Sequence, residues 1–187
     1  INNTTTLYPT SGGIWTSSNP AIATITNGGV VTGVSHGNVT FTFVENVSLC
    51  QSLPSTVIQV KARPVIAVDG DTTICVGSTS SLTPSVGGTW TSLNPDIATI
   101  DNTGIITGRN HGTASFYFVD AVSNCISDTS IIFSVNDVPI AGISGVDSIC
   151  IGEHSTLFPM AGGSWMSSNN ARATVTNAGV VTGRGAG

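Results

Sequence analysis

Residues 89–114 read TWTSLNPDIATIDNTGIITGRNHGTA, and this stretch decides the fold. Trp90 stands among Thr and Ser, Asn94-Pro95 interrupts the run, and Ile97, Ala98, Thr99 and Ile100 form a second β-prone segment. Asp101-Asn102-Thr103-Gly104 then leads into Ile105-Ile106-Thr107, a hairpin pattern that puts Gly104 in the left-handed region. Upstream lie a β-prone run at 80–84 and the pair Gly87-Gly88, while 64–68 and 72–76 read as one strand broken at Gly70. Downstream, residues 113–119 alternate, with Ala114, Phe116 and Phe118 on one face and Ser115 and Tyr117 on the other. A final run at 131–135 closes the series. Short strands at intervals of roughly 8–12 residues, without helical periodicity, predict an all-β fold built as a small sandwich.

The stretch recurs. Trp15, Trp90 and Trp165 are spaced by 75 residues, as are Gly33, Gly108 and Gly183, the pair Cys50 and Cys125, and the pair Cys75 and Cys150. Laid without a gap on 76–137, residues 1–62 are identical at roughly half the positions. Three copies follow: 1–62, truncated on its N-terminal side; 63–137, complete; and 138–187, truncated on its C-terminal side. The boundaries fall just before Pro64 and Pro139, because proline ends ladder pairing and stiffens a connector. A chain that opens on Ile1 in mid-repeat is expected to be an internal piece of a longer one.

Composition narrows the partners. The 187 residues are 40% hydrophobic and only 8% charged, with a net charge of -5 and a pI near 4.7. Lys61, Arg63, Arg109, Arg172 and Arg184 are the only Lys and Arg residues, too few for the basic stripe that nucleic-acid binding requires. Polar residues interrupt every apolar run well short of the ~20 needed for a membrane span. The hydrophobic content argues against disorder.

Residues that invite chemistry have plainer roles. Each tryptophan follows a Gly-Gly pair in a strand, which suits a core aromatic better than a sugar platform. Gly33, Gly108 and Gly183 are assigned to turns that need positive φ. His36 and His111 share Gly-x-x-His-Gly, but the third copy has Ala186 there, and no ligand set recurs around them. Asp69-Gly70-Asp71 resembles a fragment of a calcium loop, yet Ser144 and Val146 replace both acids in the third copy, so no cofactor is expected. No serine or carboxylate pair repeats in a catalytic arrangement, and the segment is read as non-enzymatic.

Residues 89–114 resemble the core of the bacterial immunoglobulin-like group 2 domains, whose pattern runs W-S-S, N-P, A-T-V, N-G-V-V-T-G and A-G-T-A. Residues 14–39 carry that pattern equally well, and 164–187 carry it with Asn170 in place of proline. The resemblance implies tandem immunoglobulin-like sandwiches. The Cys-Val-Gly-Ser run at 75–78 and the Gly-Gly-x-Trp runs resemble giant surface proteins of Bacteroidota, which are extracellular stalks, filaments or adhesins often exported by the type IX route. On that resemblance the segment extends and bundles a surface chain, with neighbouring repeats and other copies of the chain as partners. The alternative is an adhesive module that grips a glycan or a host or prey surface protein through its loops.

Two cysteines per repeat in an exported protein suggest disulfides. Pairing Cys75 with Cys125 stays within one copy and leaves Cys50 and Cys150 without partners here. An immunoglobulin-type topology sets those two residues at opposite ends, where each Cys75-type residue meets the Cys125-type residue of the following copy. Same-copy pairing of Cys75 with Cys125 is preferred, with junction pairing and free or intermolecular thiols open as alternatives.

Overall fold

The computed structural model describes residues 4–187, and all of their regular structure is β. The first copy forms β1 (Thr5–Thr6), β2 (Gly13–Ser17), β3 (Ala23–Ile25), β4 (Val30–Gly33), β5 (Gly37–Val39), β6 (Phe41–Glu45) and β7 (Ile58–Val60). The middle copy forms β8 (Ala67–Val68), β9 (Thr73–Cys75), β10 (Thr79–Thr83), β11 (Gly88–Ser92), β12 (Ala98–Ile100), β13 (Ile105–Gly108), β14 (Gly112–Ala114), β15 (Phe116–Asp120) and β16 (Phe133–Asn136). The last copy adds β17 (Gly142–Ser144), β18 (His154–Phe158), β19 (Ala173–Val175) and β20 (Val180–Gly183). Contacts divide the chain into two compact units, Ile1–Asn136 and Asp137–Gly187. Two hydrophobic cores lie within the first unit, one in each copy.

The middle copy shows the whole pattern. One sheet runs β12-β13-β10-β8, and the opposing strands pair as β11-β15 and β14-β16-β9. All pairs are antiparallel except β16 with β9, where Asn136 lies opposite Cys75. The alternating run becomes two strands, β14 on β16 and β15 on β11, with Ser115 between them. Ala114, Phe116 and Phe118 are all buried, and Ser115 and Tyr117 are half-buried, as a period of two requires. Leu82 and Ile106 from the first sheet meet them in one core with Trp90, Phe133 and Val135. The Phe116 and Phe133 rings meet edge to face at 5.7 Å.

The first copy repeats this with a smaller core of Ala23, Val31, Val39 and Phe41. Among the described residues, its sheet β1-β4-β3 has no strand in the place of β8, and β7 has none in the place of β9. The unit Asp137–Gly187 is one sheet, β17-β18-β20-β19, in the same order as β8-β10-β13-β12. Leu157, Val175 and Val181 are half-buried on it.

One expectation is corrected here. Gly33, Gly108 and Gly183 end strands β4, β13 and β20, and none has positive φ. Their reason for being glycine is close approach: a Cβ on Gly108 would lie 2.9 Å from the Cys75 carbonyl oxygen, and one on Gly183 would lie 2.6 Å from that of Cys150. The left-handed glycine of the hairpin is Gly104, at φ 84°.

Two substitutions separate strain from crowding. Gly87 has φ +89° with open space around it, whereas Gly104 has φ +84° and an added Cβ would sit 2.1 Å from the Leu82 carbonyl oxygen. Gly87→Ala is expected to cost about 1 kcal/mol from backbone strain alone, and Gly104→Ala about 3 kcal/mol because overpacking is added. Chemical denaturation of the two variants checks the difference.

Candidate functional site

Several side chains are held by the backbone in the same way from copy to copy. In each copy the indole Nε1 of the tryptophan donates to the carbonyl of a proline six residues earlier: Trp15 to Pro9 at 2.9 Å, Trp90 to Pro84 at 2.9 Å and Trp165 to Pro159 at 3.0 Å. Each of these prolines follows a cis peptide bond. Trp90 is buried in the core, and Trp15 and Trp165 are half-buried. The ring of Trp90 meets Phe118 at 5.1 Å, and that of Trp15 meets Phe43 at 5.1 Å. Trp90 and Trp15 are thus each fixed at the N–H and covered by a phenylalanine ring.

A second device was missed in the sequence. After β15 the chain returns along its free edge, and serine side chains complete the ladder. Ser127 donates its amide to the Phe118 carbonyl at 2.8 Å, while its Oγ accepts the Phe118 amide at 2.9 Å. Ser130 does the same for Phe116, at 2.8 and 3.0 Å. In the first copy, Ser52 and Ser55 close the edge of β6 through Phe43 and Phe41. The signal was there to be found: Ser-x-x-Ser follows the cysteine in both copies at the 75-residue period.

The acidic residues also serve the backbone. Asp101 Oδ1 accepts from the Thr103 hydroxyl at 2.6 Å, the Thr103 amide at 2.8 Å and the Ile105 amide at 3.0 Å. The Thr103 hydroxyl and then the Ile105 amide hold the Asp101 carboxyl below its ordinary value. Asp120 is lowered chiefly by the Ser123 hydroxyl and amide, with a smaller contribution from the charge of Lys61 in the first copy. Asp69 and Asp71 sit at the bend between β8 and β9, where their backbone carbonyls accept from Ser81 and Ser80. Among the described residues no group of three or more His, Cys, Asp or Glu side chains is placed to hold a metal ion. His36 and His111 are exposed, and exposed His154 contacts the Thr182 hydroxyl at 2.9 Å.

All four cysteines are free thiols, with Cys125 half-buried and the others exposed. The expected bond between Cys75 and Cys125 is corrected by the register. Val135 lies opposite both Ile74 and Gly112, so Cys75 is level with the start of β14. The Cys125 carbonyl accepts the amide of Asp120, at the far end of β15. Eight residues of strand separate Gly112 from Asp120, and at about 3.3 Å per residue the two thiols stand on the order of 20 Å apart or more. A disulfide tolerates a Cα separation of about 7 Å.

Within the first unit, a cleft of about 650 Å³ opens where the first copy meets the second. Gly33, Val60 and Lys61 line one side, and Ser123 and Cys125 line the other. Arg63 and Asp128 pair nearby at 2.7 Å, both largely exposed. Such a surface pair contributes about 0–1 kcal/mol.

The strand order fixes the class. Strands β8, β10, β13 and β12 form one layer, and β11, β14–β15 and β16 form the other, as A, B, E, D and C, F, G do in an immunoglobulin-like sandwich. Residues 3–52 match the family model of the bacterial Ig-like domain, group 2, and this segment is a domain of that family. The 75-residue period carries the same motif through the later copies. Among curated proteins, none matches the chain. Similar solved structures include a C-terminal 282-residue fragment of intimin in complex with the intimin-binding domain of the translocated intimin receptor, at 15% identity and TM-score 0.40 over 70% of this chain and 52% of that one. Domains 4 and 5 of the S-layer protein SbsC match at 20% identity and TM-score 0.26 over 69% and 72%, and its domains 1–6 at 15% and 0.28 over 92% and 24%. This chain spans about half the length of the intimin fragment. At TM-scores this low the likenesses carry no argument.

Ser127→Ala leaves a buried amide of Phe118 without its acceptor and is expected to cost about 1–3 kcal/mol. Denaturant unfolding and faster hydrogen exchange at Phe118 check it. Because the folded Asp101 has a depressed pKa, its contribution is present above the ordinary value of 3.8 and is lost as pH falls through the folded value. Stability is therefore expected to fall on acidification below about pH 5, and Asp101→Asn is expected to flatten part of that slope. Thermal melts across pH test both.

Proposed function

We propose that this segment is a non-catalytic structural repeat of a large extracellular surface filament, stalk or adhesin, with one sandwich per 75-residue period. The observation that carries this reading is which features the repeat preserves. The tryptophan-to-proline bond occurs in three copies, and the serine-latched edge and the serine-to-alanine bond (Ser17 to Ala23, Ser92 to Ala98, both 2.7 Å) occur in two. All of these bonds hold the chain to itself. Loop positions change between copies: Ser35 against Asn110, Asn46 against Ala121, and Leu49 against Asn124. Selection on a spacer preserves the domain and leaves the loops free, whereas a ligand site repeated in each copy needs the loops preserved. Membership of the bacterial Ig-like domains supports a cell-surface setting, and export by the type IX route remains part of the proposal.

Removing one period, residues 63–137, in frame from the gene separates spacing from adhesion. Electron cryo-microscopy of unreduced surface material is expected to show a shaft shortened by one constant increment, with cell adherence retained. Lost adherence at unchanged shaft length would favour the adhesive module, and a glycan array probed with the purified chain would then identify the ligand class.

A further inference from the structure

The cleft between the first and second copies contains Cys125 on one wall, and the repeat shows what belongs on the other. In the middle copy, the Cys75 backbone covers Gly108 and lies opposite Asn136. In the last copy, the Cys150 backbone covers Gly183 in the same way. Gly108 and Gly183 are buried, whereas their counterpart Gly33 is exposed. Gly33 and Lys61, the counterparts of Gly108 and Asn136, both line the cleft that holds Cys125. Two backbone markers, Gly33 at the end of β4 and Lys61 just after β7, thus place a Cys75-type residue of one copy beside the Cys125-type residue of the next.

We infer that in an array of these repeats each Cys75-type cysteine forms a disulfide with the Cys125-type cysteine of the following copy, locking the junction covalently. The inference holds whether the array spaces or adheres. The bond forms by thiol–disulfide exchange with a disulfide oxidant. Both thiols lose their protons and the S–S bond forms in two exchange steps. The oxidant takes up two electrons and those two protons as it becomes a pair of thiols. In such an array Cys75 and Cys50 are the matching halves of the junctions on either side.

The test keeps all 187 residues and adds, ahead of Ile1, the five residues Asp-Thr-Thr-Ile-Cys copied from 71–75. This restores a β9-type strand beside β7 and ends on a cysteine at the repeat position. The chain is oxidised with oxidised glutathione, which leaves as two molecules of reduced glutathione, and is then alkylated, digested unreduced and mapped by mass spectrometry. The expected result is a link from the added cysteine to Cys125 in most monomers, with Cys50, Cys75 and Cys150 alkylated. In a Cys125→Ser version the added cysteine is expected to be alkylated as well. A melting midpoint for the extended chain that rises on oxidation and returns on reduction would show the bond forming in folded protein. An added cysteine that stays free, or that links evenly to all four native cysteines, overturns the inference.

Discussion

The middle copy rests on one contact, the face of Trp90 against Phe118 with the indole N–H held by the Pro84 carbonyl. A domain of about 75 residues buries a modest fraction of its surface, so a few large rings must fill the gap between its two layers. Trp90 belongs to β11 and Phe118 to β15, its ladder partner in direct register. The hydrogen bond removes the ring's freedom to turn away, and the ring fixes how far Leu82 and Ile106 can approach from the opposite sheet. The same bond appears in the flanking copies, where fewer strands surround it and the tryptophan is half-buried.

Around this contact the chain uses uncharged polarity where many proteins use ions. Arg63 pairs with Asp128, and both side chains are largely exposed. Serine hydroxyls finish the ladder at β6 and β15, a serine in β2 and in β11 accepts a turn amide while donating to an alanine carbonyl, and Asp101 gathers the amides of its own hairpin. Among the described residues no buried side-chain nitrogen or oxygen lacks a partner. Short hydroxyls reach only neighbouring backbone, so this chemistry builds a closed domain while leaving the surface nearly neutral.

The strands were legible because alternation and turn residues are local signals. Ala114, Phe116 and Phe118 could be assigned to the core, and Gly104 to the left-handed turn, from sequence alone. Gly108 was misread because close approach to Cys75 depends on a strand 33 residues away, and no local pattern reports it. The same-copy bond between Cys75 and Cys125 failed for a related reason: spacing along the chain does not say that β14 and β15 carry the second residue to the far end of the sandwich. The parallel pairing of β16 with β9 likewise depends on topology. The serines were visible but looked like ordinary polar filler until their hydroxyls were seen on the backbone.

The latched edge also bears on how such a protein is made. Neighbours identical at roughly half their positions are the partners with which an emerging strand is most readily confused, and strand exchange is a characteristic failure of repeat proteins. Ser127 reaches Phe118 across 9 residues, and Ser130 reaches Phe116 across 14. Closing so short a loop outpaces a search that spans a whole period. The partner that seals β15 therefore lies in the same copy and only 9 to 14 residues further along the chain, whereas the equivalent strand of the next copy lies a full period away.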